Sequence, residues 1–383
     1  MKAIQAVSFV TLLSCTWVSS TLALNILVTN DDGFGSANIR EFYKALNAAG
    51  HNAWIVAPVV DNSGKGGTVD FTREANLTRS SMYNLIPSGA PSFGTDPKDS
   101  QIWYYNGTPA ACTFFALDYV VKNFWNGTQP DLLVSGPNEG SNLGPFLYTL
   151  SGTMGATYAA VARGIPAIAF SAMDGTKRSY TYVNASAPGG KDPATITGEL
   201  GVQLVNQLAS SANGGRLLPL GYGLSVNYPE ITSLKDDSCI KPPFINSRLT
   251  GMAETDTAAY NASTGLFTYQ SSDNFEGDNV CLNGNCTLPG ETDVVKTCQT
   301  AMSVFTIDYD APTCQGSQPV RELTMPLVRY STNESGNTKD IPAGTTIGDV
   351  PSSSPTPKSG GHGVVVPSTF SFLGLFCALF SLV

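Results

Sequence analysis

The feature that most constrains the fold is a short apolar run that ends in two adjacent carboxylates. Residues 25–35 read Asn-Ile-Leu-Val-Thr-Asn-Asp-Asp-Gly-Phe-Gly. Branched apolar residues in succession are typical of a parallel strand that is buried on both faces of its sheet. Ligands of such sheets bind at the carboxyl edge, where the chain leaves each strand. The run therefore predicts that Asp31 and Asp32 lie at a functional edge of an α/β sheet.

The residues that follow predict a strand–helix–strand crossover. Residues 36–50 carry apolar side chains at helical spacing and end in Gly50. Residues 52–57 form a second apolar run, which Pro58 closes. A crossover of this length joins parallel strands with right-handed connectivity. The second strand therefore delivers its following loop to the same sheet edge as the two aspartates.

Further strands and helices alternate along the chain. The predicted elements are a helix from Pro109 with Thr108 as its N-cap, strands at 131–135 and 165–171, and helices at 151–162 and 195–212. Shorter alternating runs at 223–228, 265–269 and 302–308 predict β-hairpins attached to the main body. We therefore expect an α/β fold, a Rossmann-like three-layer sandwich with a mainly parallel sheet and C-terminal β-hairpin extensions.

Both ends of the chain have the composition of targeting segments. Residues 1–23 predict a cleaved secretory signal, with an uncleaved anchor as the alternative. Residues 331–363 are rich in Ser, Thr, Pro and Gly and predict a stalk, and the apolar residues 364–383 predict a glycosylphosphatidylinositol signal or a retained membrane tail. Residues 24–330 then form the globular domain. We expect a secreted protein that is held at a membrane surface through a lipid anchor or tail and is displayed on the plasma membrane or cell wall.

Cysteine use agrees with an oxidising compartment. Six cysteines remain after removal of the two terminal segments, which predicts disulfides among them. Cys112 lies in an apolar helical stretch and is predicted to be a buried thiol, which would leave one downstream cysteine unpaired. Zinc binding at Cys281 and Cys286 is disfavoured because His51 and His362 are the only histidines. We expect His51 to be exposed in the turn before the second strand.

Glycosylation acceptors are frequent, and the net charge is acidic. Asn-x-Ser/Thr sequons occur at Asn76, Asn106, Asn126, Asn184, Asn261, Asn285 and Asn333. The site at Asn106 is disfavoured because a glycan would crowd the following helix start. A net charge of −9 argues against polymeric nucleic acid as a partner, because phosphate neutralisation needs clustered Lys and Arg. Neither the dinucleotide fingerprint nor the Walker pattern is present in the sequence.

Loops from three predicted strands meet at the edge that carries the two aspartates. Ser63 and Lys65 lie in a glycine-rich loop after the second strand, and Asn138 follows the strand at 131–135. Carboxylates combined with neutral oxygen ligands suit a hard divalent ion such as Mg²⁺. Two adjacent aspartates also occur in solvated turns, so the location after a buried strand is what favours a metal site.

The helix that begins after Ser151 offers a place for an anion. Its first residues are Ser151, Gly152 and Thr153. Free amide groups and the helix dipole attract phosphate at a helix amino terminus. Ordinary capping by Ser151 is the alternative interpretation of the same residues.

Taken in order, these motifs resemble the signature of the SurE family of nucleotidases and acid phosphatases. The resemblance rests on residues 26–33, Ala57-Pro58 leading to 62–64, residues 106–109, residues 134–144 and residues 151–153, and it covers about residues 25–310. The extra cysteines and the terminal signals resemble a secreted eukaryotic branch, of fungal type.

The resemblance implies hydrolysis of phosphomonoesters, typically nucleoside monophosphates, with a divalent cofactor such as Mg²⁺ or Mn²⁺. The implied metal ligands are Asp31, Asp32, Ser63 and Asn138, and the implied phosphate ligands are Asn142, Ser151, Gly152 and Thr153. We expect Asp31 and Asp32 to be the catalytic residues, and either could accept a proton from water, with Asp32 preferred. A homodimer formed through the C-terminal part is also implied.

Two other functions are compatible with the sequence. A haloacid-dehalogenase-like phosphatase would use Asp31 as a nucleophile, but that class needs an Asp-x-Asp spacing which this strand end lacks. Alternatively, the protein could be a catalytically inactive surface glycoprotein that binds Ca²⁺ or carbohydrate through the same loops. Turnover of a phosphomonoester would distinguish an enzyme from such a binding protein.

Overall fold

The structure is a computed structural model that describes residues 23–173, 177–183, 191–231, 237–273, 275–311, 323–324 and 327. The chain separates into a compact unit, residues 1–308, and a second unit, residues 309–383. The predicted stalk and tail, and almost all of the predicted leader, lie outside the described residues, so the proposed domain boundaries remain predictions. Within the part of the chain that is described, no helix is long and apolar enough to cross a membrane.

The described residues contain eleven strands. They are β1 (Asn25–Thr29), β2 (Asn52–Pro58), β3 (Phe93–Asp96), β4 (Asp99–Tyr105), β5 (Leu132–Glu139), β6 (Ala167–Ala172), β7 (Tyr222–Asn227), β8 (Phe244–Ser247), β9 (Glu254–Asn261), β10 (Leu266–Asp273) and β11 (Thr300–Thr306). The main sheet has the order β3-β4-β2-β1-β5-β6-β7-β11-β8. In this order, the neighbouring strands from β4 to β7 are all parallel. Strand β3 is antiparallel to β4, and β11 is antiparallel to β7.

Helices flank this sheet. They are α1 (Ala37–Ala48), α2 (Pro109–Phe115), α3 (Val121–Phe124), α4 (Gly144–Leu150), α5 (Gly152–Ala162), α6 (Pro193–Ala212), α7 (Asp237–Ile240), α8 (Glu276–Asn279) and α9 (Glu291–Val295). A π-helical segment, Ala116–Val120, joins α2 to α3, and 3₁₀ turns lie at Met82–Asn84 and Tyr180–Tyr182. Thr108 precedes α2 and Pro109 is its first residue, as the sequence predicts.

The core lies on both faces of the sheet, which explains the continuous apolar strands. Ile26 and Val28 of β1 pack in one cluster with residues of α1 and α6. Leu27 points to the opposite face and packs with residues from the α2–α3 segment and α5. Alternate residues of one strand therefore contribute to two different cores. The result is the predicted three-layer α/β sandwich, with the long helix α6 packed against α1.

The prediction for His51 is wrong. Its side chain is only 5% exposed. Nδ1 accepts a hydrogen bond from the backbone N–H of Leu24 at 3.3 Å, and Nε2 lies 3.0 Å from Oδ1 of Asn206. Burial lowers the pKa of this imidazole. The turn residue is buried because α6 packs over it, a contact that the local sequence does not encode.

The three alternating runs of the C-terminal part pair in two different ways. Residues 265–269 fall largely within β10, which pairs with β9 in an antiparallel hairpin, as predicted. The other two runs pair with each other as β7 and β11 and extend the main sheet instead of forming separate hairpins. An apolar strand of alternating pattern can join either kind of sheet, and only the available neighbours decide between them.

The cysteines follow the predicted pattern where they are described. Disulfides join Cys239 to Cys298 and Cys281 to Cys286. Cys112 is a buried free thiol, as predicted, and Cys314 lies outside the described residues. Among the described sequons, the acceptors that are exposed are Asn76, Asn126, Asn261 and Asn285, whereas Asn106 is half-buried and donates to Thr72 Oγ1 at 3.2 Å.

Candidate active site

The site lies where the order of the sheet changes direction. From β1 the chain moves to β2 and β4 on one side, and it then returns to place β5 on the other side of β1. The carboxyl ends of β1 and β5 therefore flank the topological switch point, which is the usual ligand position in open α/β sheets. Asp31 and Asp32 follow β1, and Asn138 lies near the end of β5. These three predicted ligands are brought to one edge, as expected.

Asp31 connects this edge to the start of α5. Its side chain is 2% exposed, and Oδ1 accepts a hydrogen bond from the Thr153 hydroxyl at 2.7 Å. Its backbone carbonyl accepts from the N–H of Asn62 at 2.7 Å, which fixes the loop that carries Ser63. Burial raises the pKa of Asp31 to about 7, and the charge of Asp32 adds to this effect, while the Thr153 hydrogen bond opposes it. Asp31 can therefore hold or release a proton near neutral pH.

Asp32 is fully buried and has polar partners at both oxygens. Oδ2 accepts from the backbone N–H of Glu139 at 2.9 Å, and Oδ1 lies 2.9 Å from Nζ of Lys177. Burial raises the pKa of this carboxyl above its usual range, although Lys177 and the Glu139 amide favour the ionised form. The Glu139 contact ties the ends of β1 and β5 together.

Lys177 and Asp61 also lie at the site, although neither was predicted from the sequence. Nζ of Lys177 lies 2.7 Å from Oδ2 of Asp61 and donates to Oγ of Ser63 at 2.6 Å. Burial disfavours the ammonium, but the charges of Asp32 and Asp61 outweigh this and raise the pKa of Lys177. The sequence could have indicated both residues. Asp61 lies in the same loop as Ser63, and Lys177 follows β6 at the same edge of the sheet. Lys65 is exposed on the loop.

Asn138 has one side-chain oxygen that no other described residue contacts through a hydrogen bond. Its Nδ2 donates to the carbonyl of Gly140 at 3.0 Å, whereas its buried Oδ1 has no hydrogen-bond partner in the described part of the chain. A buried acceptor of this kind is uncommon in folded proteins and calls for a ligand. The register of β5 against β6 shifts between Ser135 and Asn138. Gly136 permits this shift, since its φ is +106° and a Cβ there would lie 2.2 Å from the carbonyl oxygen of Phe170.

The predicted phosphate residues form two neighbouring elements. Ser151 caps α5, with its Oγ accepting from the N–H of Met154 at 3.2 Å. A Cβ on Gly152 would lie 2.8 Å from Cβ of Asp31, so the helix start and the carboxylate are in direct contact. Asn142 lies before α4, donates from Nδ2 to Ser171 Oγ at 2.8 Å, and is 7% exposed. The helix α4 separates these two elements and was not predicted from the sequence.

The donor set limits which metal chemistry is possible. In the described ranges, no group of three or more His, Cys, Asp or Glu side chains is arranged to hold a metal ion. Any cation at this edge would therefore depend on the neutral oxygens of Ser63 and Asn138 in addition to the two aspartates. This is the mixed oxygen set that Mg²⁺ accepts together with retained water.

Comparison with known proteins identifies the family. The family described as Survival protein SurE matches residues 26–252. The chain belongs to the SurE family. An acid phosphatase from Yarrowia lipolytica is 44% identical over 294 residues, which cover 75% of this chain and 80% of the relative. The 5'-nucleotidase SurE of Lawsonia intracellularis is 33% identical over 213 residues, which cover 55% of this chain and 68% of the relative.

A solved structure supports the fold of this SurE family member. The crystal structure of the SurE protein from Aquifex aeolicus matches with a TM-score of 0.52 and 20% sequence identity. The match covers 79% of this chain and 98% of that chain. The predicted Rossmann-like α/β architecture is therefore confirmed.

Proposed function

We propose that this SurE family member is a divalent-metal-dependent hydrolase of phosphomonoesters, including nucleoside monophosphates. Relatives named acid phosphatase and 5'-nucleotidase support the reaction class. The observation that carries the proposal is the contact between Asp31 and Thr153. This contact places a buried pair of carboxylates directly against a helix amino terminus that suits a phosphoryl group.

The residues present fit a divalent cation such as Mg²⁺ or Mn²⁺. Asp31, Asp32, Ser63 and Asn138 would hold it. Two observations support this assignment. Oδ1 of Asn138 has no hydrogen-bond partner among the described residues. The ammonium of Lys177 contacts Asp32 and Ser63 as another cation would. When bound, the ion would supply charge neutralisation and a more acidic water.

The chain itself positions the phosphoryl group and handles a proton. The free amides at the start of α5 and the side chain of Asn142 would bind the non-bridging oxygens and stabilise the charge that develops on them. Both oxygens of Asp32 are engaged, by Glu139 and Lys177. Asp31 commits Oδ1 to the Thr153 hydroxyl, and its Oδ2 faces the start of α5, where the phosphoryl group would bind. We therefore assign proton transfer to Asp31, whereas the sequence had favoured Asp32.

We also propose that the enzyme acts outside the cell. The leader-like residues 1–23, the exposed sequons and the two disulfides all agree with the secretory route. The composition of residues 331–383 supports attachment to a membrane surface. The hairpin β9–β10 exposes the aromatic side chains of Tyr260, Phe267 and Tyr269, which suits the surface of a homodimer.

The test is turnover by the full chain secreted from a eukaryotic host. Hydrolysis of p-nitrophenyl phosphate and of nucleoside monophosphates is measured with Mg²⁺, with Mn²⁺ and with a chelator. Asp31→Asn and Asp32→Asn should each lower kcat/KM by roughly 100-fold or more, because both alter the charge at the reacting centre. Asp118→Asn is the matched control, since Asp118 forms an exposed surface ion pair with Arg163.

Two results would contradict the proposal. Near-normal turnover in both site variants would remove the carboxylate pair from the mechanism. Wild-type protein that binds Ca²⁺ or carbohydrate but hydrolyses none of the substrates would instead favour the inactive surface glycoprotein.

A further inference from the structure

Glu291 is a fully buried carboxyl group beyond residues 26–252, the range that the family model matches. It begins α9, whereas the family match ends at residue 252. Oε1 accepts from the backbone N–H of Gly144 at 2.7 Å, and Oε2 accepts from the hydroxyl of Ser303 at 3.0 Å. Burial raises the pKa of Glu291 to about 8, although both hydrogen bonds favour the ionised form. Burial of a carboxyl group costs free energy unless hydrogen bonds compensate for the lost water. The bonds to Gly144 and Ser303 therefore stabilise Glu291 and fix the segments that it contacts.

The bond to Gly144 acts between the two proposed phosphate elements. Gly144 is the first residue of α4; Asn142 lies two residues before it, and Ser151 follows the end of the helix. Gly144 has φ of +82°, and a Cβ there would lie 2.7 Å from Cβ of Ala253. Its backbone is therefore closely confined by neighbouring chain. An amide in such a position loses its hydrogen bond if Glu291 is replaced by an apolar residue.

Asn142 is held from the other side by β7. Its backbone N–H donates to Oδ1 of Asn227 at 2.9 Å, and Nδ2 of Asn227 donates to its carbonyl at 3.2 Å. The loop before α4 is thus fixed at Asn142 by Asn227 and at Gly144 by Glu291. Loss of the hydrogen bond between Gly144 and Glu291 would let Asn142 and α4 shift relative to the start of α5.

We propose that Glu291 is a positioning residue for the phosphate site, which acts through the Gly144 amide to hold Asn142 and the α4 segment in register with Ser151. This inference rests on the proposed phosphomonoester hydrolysis. Glu291 itself contacts Gly144 and Ser303 and not the substrate. A residue of α9 would then support the phosphate site at the carboxyl edge of the main sheet.

The test compares variants that keep or remove the acceptor. Glu291→Gln retains an oxygen for the Gly144 amide, and its NH₂ group can donate to Ser303, whose hydroxyl lies 2.9 Å from that of Ser247. Glu291→Leu removes both hydrogen bonds. Ser303→Ala is the matched control, because it disturbs the same buried cluster but leaves the Gly144 bond intact.

The readouts are the inhibition constant of inorganic phosphate and the KM and kcat for p-nitrophenyl phosphate. Glu291→Leu should weaken phosphate inhibition and raise KM about tenfold, consistent with loss of one buried hydrogen bond, with a smaller change in kcat. Glu291→Gln and Ser303→Ala should stay within about threefold of wild type. Hydrogen exchange of peptides covering residues 140–151 should be faster in Glu291→Leu and unchanged in Glu291→Gln.

Failure of this inference can be separated from failure of the proposed function. Wild-type turnover tests the function, whereas hydrogen exchange tests the Gly144 contact without any turnover. If Glu291→Leu does not fold, Glu291→Asp takes its place, because the shorter side chain withdraws the carboxyl from Gly144 but keeps a carboxyl group in the buried cluster. A folded Leu or Asp variant with unchanged phosphate inhibition, or a Gln variant as impaired as the Leu variant, would overturn the proposal.

Discussion

Gly152 offers a sharp test of how closely the proposed metal ligand Asp31 and the proposed phosphate site at the start of α5 are joined. A Cβ at this position would lie 2.8 Å from Cβ of Asp31, 3.0 Å from its Oδ2 and 3.0 Å from Cγ of Pro109. Ordinary contacts between such atoms begin near 3.4 Å. In the variant Gly152→Ala, Asp31 or the start of α5 must therefore shift by roughly half an ångström.

The expected energetic cost is moderate, whereas the catalytic cost is large. Overpacking of a tight site costs about 1–3 kcal/mol, and the lower entropy of the unfolded chain with alanine offsets about 0.4–1 kcal/mol of this. The net loss of about 1–2 kcal/mol should lower Tm by several degrees. A displacement on this scale at the reacting centre can reduce turnover by about 100-fold. Activity should therefore fall much further than stability.

The assay combines thermal unfolding with kcat/KM for p-nitrophenyl phosphate at saturating Mg²⁺. Gly277→Ala is the matched control, because no atom of the described residues would lie within 4 Å of a Cβ at that position. A folded Gly152→Ala enzyme whose kcat/KM stays within threefold of wild type would refute the argument that Asp31 and the start of α5 act as one rigid unit.

Two further predictions concern the charges around the cation position. Because burial raises the pKa of Asp31 to about 7, its protonated form competes with metal below that pH, so Mg²⁺ or Mn²⁺ affinity should fall about tenfold per pH unit as the pH drops from 7. Calorimetry in buffers of different ionisation enthalpy would count the released protons, and an affinity that is flat from pH 5.5 to 8 would contradict this. Lys177→Met should strengthen metal binding by roughly tenfold, since its ammonium contacts Asp32, Asp61 and Ser63. Lys122→Met, at an exposed surface pair, is its control, and equal metal affinity in the two variants would show that Lys177 does not compete.

The parts of the site that sequence could predict are those set by local patterns. A doubly buried strand that ends in Asp31 and Asp32 must leave the sheet at its carboxyl edge, and a Ser-Gly-Thr helix start must expose free amides. Both statements depend on neighbouring residues only. For the same reason, the predicted N-terminus of α2 at Pro109 agrees with the structure.

Tertiary structure decided which distant groups meet at that edge. Lys177 and Asp61 complete the charge around Asp32, and Glu291 reaches Gly144 from the C-terminal part of the chain. His51 is buried by the packing of α6, against expectation. Side chains far apart in sequence meet only through the order of the strands and the packing of helices on them, which local periodicity leaves open. The sequence alone thus determined the acidic strand end and the helix start with its free amides. The fold determined which distant side chains contact them.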